Sequence, residues 1–271
     1  MKIIDMFSGC GGLSLGFQQA GYEVVLGIDN DAAALRTFRR NHRGALGENV
    51  DLFADDAIDR IAGLVDGSRI DVIVAGPPCQ GFSLTGPRRF DDRRNRLYLR
   101  VFDAVSRFRP QAFVIENVRG MASLYEGQVK DEILKRFTEL GYNVECRVLC
   151  AADYGVPQIR HRLFFVGLRR DLGSFVFPSP VLSKSEYLGC RDAIGDLPAR
   201  SEDPGCEVDA YERPPFTAYQ TLMRGSTLVL HNHVGTRHTE HVKSVIALVP
   251  PGGNYKDLPE GVGTSRRFNV A

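Results

Sequence analysis

The sequence predicts an α/β fold: a mostly parallel, twisted sheet with helices on both faces. Three observations predict it. Short apolar runs that read as buried strands alternate with stretches of helical spacing. The first of these strands passes into a helix through a glycine turn, Ser8-Gly9-Cys10-Gly11-Gly12. Residues with reactive or polar side chains (Asp29, Cys79 and Glu116) follow directly on such runs, at the sheet edge where open α/β sheets bind ligands. The chain has 271 residues, 43% hydrophobic and 25% charged, enough for one large core and part of a second domain. No run approaches a membrane span, and the N-terminus enters a strand at once, so no signal peptide is expected. Six cysteines form no CxxC pair and no zinc spacing, which fits free thiols in a reducing cytoplasm. A net charge of +1 leaves any nucleic-acid affinity to local patches.

Lys2 to Phe7 is the first strand, and Leu13 to Ala20 has apolar residues at helical spacing. The glycine turn between them lets a ligand lie against bare backbone at a helix N-terminus. After a second strand, Glu23 to Ile28, comes Asp29, an acidic group twenty residues beyond Gly9 where ribose hydroxyls are typically held. A dinucleotide fingerprint would need glycine at position 14, which is Ser14, so a nucleoside cofactor without a diphosphate suits this turn better. Asn30 or Asp31 caps a helix running to about Asn41. Phe53 to Ile58 ends a third strand, and either Asp55 or Asp56 could cap the following helix.

Ile70 to Val74 is a short buried strand, followed by Ala75-Gly76-Pro77-Pro78-Cys79-Gln80-Gly81-Phe82-Ser83. The two prolines forbid both a helix and continued pairing, so Cys79 sits on a stiff turn as a candidate nucleophile. Residues 83 to 96 read as a long surface loop with five arginines, including Arg88, Arg89, Arg93 and Arg94, suited to phosphate contact and to acting as a lid. Leu97 to Phe108 is an amphipathic helix, and Gln111 to Ile115 a strand that delivers Glu116-Asn117-Val118 to the same crevice as Cys79. Gln128 to Leu140 is helical and Asn143 to Cys150 a strand. Tyr154-Gly155-Val156-Pro157-Gln158-Ile159-Arg160-His161-Arg162 then leads into the strand Leu163 to Gly167. Alternation places Arg160 and Arg162 on one face, where two guanidinium forks suit a phosphate or the polar edge of a base, and His161 on the other as a structural residue.

These strings resemble the motifs of the DNA cytosine-5 methyltransferases: Phe7 to Gly12, Pro77-Pro78-Cys79, Glu116-Asn117-Val118 and Gln158-x-Arg160-x-Arg162. The resemblance implies a Rossmann-like S-adenosylmethionine-dependent methyltransferase fold, base flipping, and methyl transfer to C5 of cytosine in DNA. In it Cys79 is the nucleophile and Glu116 the acid at N3, with Arg160 and Arg162 also catalytic. The implied cofactor, S-adenosyl-L-methionine, is held by Phe7, Ser8, Gly9, Cys10, Gly11, Gly12, Asp29 and Asn30, by Asp55 or Asp56 near the adenine amino group, and by Pro78 and Leu97. DNA contacts are expected from Gln80, Ser83, Arg88, Arg89, Arg93, Arg94 and Gln158. Two other readings of the same motifs are a tRNA cytosine-5 methyltransferase and a non-catalytic regulatory homologue.

After Gly167 prolines and glycines accumulate without sustained periodicity, apart from a short helix candidate at Cys190 to Pro198. Residues 1–180 are expected to form the catalytic, cofactor-binding domain, and 181–271 a linking segment leading toward a target-recognition region. By the resemblance that region and the last two motifs have no counterpart here. A split or truncated enzyme with a second polypeptide for recognition is therefore expected, in the cytoplasm of a prokaryote or phage host and within restriction-modification. His231, His233, His238 and His241 cluster, but no cysteine or paired carboxylate joins them and no metal is expected.

Overall fold

The computed structural model describes residues 1–78, 97–123, 127–200 and 204–262. They form two units, Met1–Leu188 and Gly189–Ala271.

In the first unit strands and helices alternate as expected. They run β1 (Lys2–Met6), α1 (Gly12–Gln19), β2 (Glu23–Asp29), α2 (Ala32–Asn41), β3 (Leu46–Asn49), α3 (Ala57–Leu64), β4 (Val72–Ala75), α4 (Leu97–Phe108), β5 (Ala112–Val118), α5 (Gln128–Glu139), β6 (Tyr142–Cys150) and β7 (His161–Arg169). One sheet contains all seven strands in the order β3-β2-β1-β4-β5-β7-β6. The pairs outward from β1 are parallel, while β7 runs antiparallel to both β5 and β6. Reversal of strand order on either side of β1 opens a crevice beyond its C-terminal end, where α/β sheets take ligands.

Both faces are covered, which explains the apolar character of β1 and β4. On one face Leu13 and Phe17 of α1 lie against Ile3, Val72 and Val74. On the other, Ile61 of α3, Val101 and Val105 of α4, and Ile133 and Phe137 of α5 close over Ile4, Met6, Ile73 and Phe113. The Phe113 and Phe137 rings meet at 4.2 Å between centroids, and burying each such ring contributes about 1.5–3 kcal/mol.

Three elements differ from expectation. Strand β3 is Leu46–Asn49, not a run ending near Phe53, because its pairing with β2 ends at Asn49; residues 53–56 form turns before α3. Strand β5 continues to Val118, since the antiparallel β7 pairs with it as far as Val118 opposite Arg162. Glu116 therefore lies within the strand rather than after it. Arg160 precedes β7, its carbonyl accepting from Ala151 N at 2.9 Å, so strand alternation does not govern its direction. The cap of α2 is Asp31, whose Oδ1 accepts from Ala33 N at 2.7 Å and Ala34 N at 3.1 Å.

The second unit holds the expected α6 (Cys190–Ile194). It also holds β8 (Val208–Ala210), α7 (Ala218–Arg224), β9 (Val229–His231) and α8 (Glu240–Ala247), none of which periodicity announces. Strands β8 and β9 pair antiparallel. His233 Nε2 faces the Pro198 carbonyl at 2.8 Å. No helix among the described residues is long and apolar enough to cross a membrane.

Candidate active site

Strands β1, β2 and β4 end around a cleft of about 240 Å³, lined by Phe7, Asp29, Asn30, Val50, Asp51, Leu52, Phe53, Gly76, Pro78 and Leu97. The glycine turn follows Phe7, a lining residue, and is tied to Asp29, another. Asp29 Oδ2 accepts from Gly9 N at 2.8 Å, and its Oδ1 from Asp31 N at 2.9 Å, so one carboxylate joins the turn to the start of α2. Phe7 takes φ 61°, a left-handed conformation unusual for a bulky residue. Strain of this kind collects where a side chain must be aimed at a ligand, and Phe7 borders the cleft. Ser8 Oγ is buried, and among the described residues it has no hydrogen-bond partner. Among the described residues, Asp29 and Asp51 are the charged ones in the lining, with no cation beside them.

Beneath the turn, Asp5 of β1 is buried, and its Oδ2 accepts a short hydrogen bond from Ser14 Oγ. Burial pushes the Asp5 carboxyl up to about 7, with the Ser14 hydroxyl and backbone N–H pulling the other way. Asp5 thereby supports the first turn of α1, for which Gly11 offers no side chain.

Beyond β4 the neighbouring strand carries Glu116. A Cβ placed on Gly76 would lie 3.8 Å from Glu116 Oε2, and the buried Asn117 Nδ2 donates to the Pro77 carbonyl at 3.3 Å. The backbone that enters Cys79 is thus held directly beside Glu116. Arg162 Nε donates to Glu116 Oε1 at 2.8 Å, each side chain about a quarter exposed. Burial raises the Glu116 carboxyl above its ordinary range, and the opposing pull of Arg162 and Arg160 does not cancel the rise. A second cleft of about 410 Å³ opens beside Arg162, lined also by Val118, Arg119, Gly120, Gln158, Ile159, Arg160 and His161.

The sequence-predicted residues divide as follows. Phe7, Asp29, Asn30, Pro78 and Leu97 line the first cleft, while Ser8, Gly9, Cys10, Gly11 and Gly12 form the turn beside it. Asp55 and Asp56 lie outside its lining. Asp55 is exposed and pairs with Arg100 at 3.6 Å, and Asp56 occupies the N-cap position of α3 without a side-chain hydrogen bond. Asp51 stands in the cleft where the sequence predicted one of those two. Its signal was the residue pair after the end of β3, which moved once that strand was placed four residues earlier. Gln158, Arg160, His161 and Arg162 line the second cleft, and two of them, Arg162 and Arg160, act on Glu116 from there. Arg119 and Gly120 were not anticipated there. Cys79, Gln80, Ser83, Arg88, Arg89, Arg93 and Arg94 lie outside the described residues.

Comparison with known proteins places this architecture. Residues 1–248 match the family model described as C-5 cytosine-specific DNA methylase. The Type II methyltransferase M.DdeI of Desulfomicrobium norvegicum is 39% identical over 268 residues, covering 96% of this chain and 63% of the relative. M.XorII of Xanthomonas oryzae pv. oryzae is 41% identical over 272 residues, covering 92% of this chain and 62% of the relative. The chain thus spans a little under two thirds of the length of these relatives. Among solved structures, a putative DNA modification methyltransferase encoded within an E. coli prophage aligns with a TM-score of 0.70 at 28% identity, over 91% of this chain and 69% of that one. Spodoptera frugiperda DNMT2 shares the fold, with a TM-score of 0.52 at 22% identity over 67% of this chain and 53% of that one.

Proposed function

The chain belongs to the C-5 cytosine-specific DNA methylase family, and from that membership we propose that it transfers a methyl group from S-adenosylmethionine to C5 of a flipped-out cytosine in DNA, through a covalent adduct with Cys79. The observation that carries the proposal is a shared strand end. Gly76 and Pro78 border the first cleft, and Gly76 also borders Glu116. A donor in the cleft and a base beside Glu116 would meet at the residues that lead into Cys79.

The residues of the first cleft fit S-adenosylmethionine. Among the described lining residues a diphosphate would meet two carboxylates and no cation, whereas a sulfonium and an amino group carry positive charge. Phe7, Leu52, Phe53 and Leu97 supply apolar walls for a base, and Asp29 keeps lone pairs for ribose hydroxyls beyond those used by Gly9 and Asp31. Ser8 Oγ is a buried hydroxyl in want of a partner. When bound, the cofactor supplies an electrophilic methyl group.

Cytosine C5 is too weakly nucleophilic to accept that group unaided. The Cys79 thiolate adds at C6, and the electron pair displaced from the C5–C6 double bond makes C5 nucleophilic, a case of covalent catalysis. Glu116 in its protonated form donates to N3 and relieves the charge developing on the ring. Burial raises its carboxyl, the direction that favours the protonated donor. Arg162 orients that carboxyl through Nε. Once C5 is methylated, loss of its proton returns the electron pair to the C5–C6 bond and expels the thiolate. A stacked base cannot reach such a crevice, so the cytosine is flipped out. Gln158 and Arg160, with the arginines of residues 83 to 96, hold the DNA in this reading.

Trapping on a duplex containing 5-fluorocytosine tests it. The wild-type chain, supplied with the target-recognition region in trans as the expected second polypeptide, forms an adduct that survives denaturation, and Cys79→Ser abolishes it. Absence of adduct from wild type under those conditions defeats the mechanism. Tritium transfer to duplex DNA against tRNA separates the two substrate readings.

A further inference from the structure

We propose that His42, at the C-terminal end of α2, is a positioning residue for the cofactor turn, holding the Gly11 carbonyl through its Nε2–H. The inference rests on the reading of the first cleft as the S-adenosylmethionine site. His42 is 2% exposed. Its Nε2 lies 3.0 Å from Gly11 O, and its Nδ1 lies 2.7 Å from Gln18 Oε1. A carbonyl can only accept, so Nε2 carries the hydrogen that faces Gly11. Gln18 Oε1 can only accept, so with the hydrogen on Nε2 the amide is turned to present its N–H to Nδ1, an exchange of O and N that leaves its shape unchanged. Leu15 N donates to the same Gly11 carbonyl at 2.9 Å, so this oxygen both starts α1 and receives His42.

Glycine at position 11 is what permits the contact. Its φ is +90°, and a Cβ there would stand 2.2 Å from His42 Nε2. The ring occupies the space of the missing side chain, with Phe38 tilted against it at 4.5 Å between centroids. The turn is therefore tied to both ends of α2. Ahead of the helix Asp29, the last residue of β2, takes the N–H groups of Gly9 and Asp31, and at its other end His42 takes the carbonyl of Gly11. A buried aromatic serving only as filler would be replaceable by phenylalanine; a donor to Gly11 would not.

Calorimetric titration of the full chain with S-adenosylhomocysteine distinguishes these roles. His42→Phe keeps the ring stacked on Phe38 but removes the donor, and should weaken binding by about tenfold, the scale of one buried hydrogen bond. His42→Gln restores an N–H toward Gly11 and should stay within about threefold of wild type. In methyl transfer, His42→Phe should raise KM for S-adenosylmethionine and leave kcat unchanged at saturation. Gln18→Leu disturbs only the ring's second bond, and should cost about threefold in affinity even if His42→Phe does not fold. Wild-type affinity in His42→Phe, an equal loss in His42→Gln, or wild-type affinity in Gln18→Leu would overturn the proposal. No binding by the wild-type chain would overturn the cofactor reading instead.

Discussion

Arg162 and Glu116 are diagonal neighbours across the antiparallel β5–β7 ladder. Arg162 stands opposite Val118 and Phe164 opposite Glu116, so the two charged side chains lie two residues apart along one face, with Nε 2.8 Å from Oε1. Diagonal pairs in sheets are within reach only of long side chains. The arginine that the sequence assigned to the flipped base is here the partner of the acid.

Arg162→Leu should therefore move Glu116 upward in pH, because it removes the strongest downward pull on a carboxyl already raised by burial. Carbon-13 NMR of the Glu116 side-chain carboxyl reads this directly. An unchanged titration would show that the ion pair has no influence on the acid. In wild type, methyl transfer should fall as pH rises through the Glu116 titration, since the protonated form is the donor. Glu116→Gln should lose at least about a hundredfold in rate, the scale of general-acid assistance.

Asp51→Ala should weaken S-adenosylmethionine binding by about tenfold, while Asp55→Ala should change it by less than about twofold. Asp51 borders the cleft, and Asp55 faces solvent beside Arg100. Calorimetry on the two variants decides between them, and the reverse ranking would favour Asp55 for the adenine contact.

Asp5→Asn should flatten the dependence of stability on pH. The native carboxyl is pushed up to about 7, while in the unfolded chain it titrates near 3.9. Between these values the native state binds the extra proton, so Asp5 makes stability fall as pH rises through that window, on the order of a few kcal/mol in all. Urea denaturation from pH 4 to 7.5 on wild type and variant measures the difference. Parallel curves would show that Asp5 is charged in the folded protein throughout.

Gly27→Ala should destabilise the first unit by about 1–3 kcal/mol, the usual cost of overfilling a packed site. A Cβ there would lie 2.2 Å from the Phe38 ring. Phe38→Leu in the same chain should recover part of the loss, a coupling that a double-mutant cycle reads as non-additivity.

Much of the sheet is legible in the sequence because its central strands are short, apolar and closed by turns. Lys2 to Met6, Val72 to Ala75 and the helix Leu97 to Phe108 appear close to where their patterns place them. Leu46–Asn49 is not legible, since Gly47, Glu48 and Asn49 have no strand signature, and pairing with β2 alone makes them one. That one displacement transfers the acidic wall of the cleft from Asp55 or Asp56 to Asp51. In the second unit β8 and β9 are three residues each, too short for periodicity to register.

By itself the sequence determined the alternation of strands and helices, the glycine turn with Asp29 after it, and the reactive residue types at the strand ends. Those features are local, set by side-chain period, backbone restriction and spacing along the chain. Only the tertiary structure decided that Asn117 pins the Pro77 carbonyl, that Arg162 holds Glu116, and that His42 reaches Gly11. Each joins residues more than thirty apart, brought together by sheet register and helix packing, and the burial that lifts Asp5 and Glu116 exists only once those layers close.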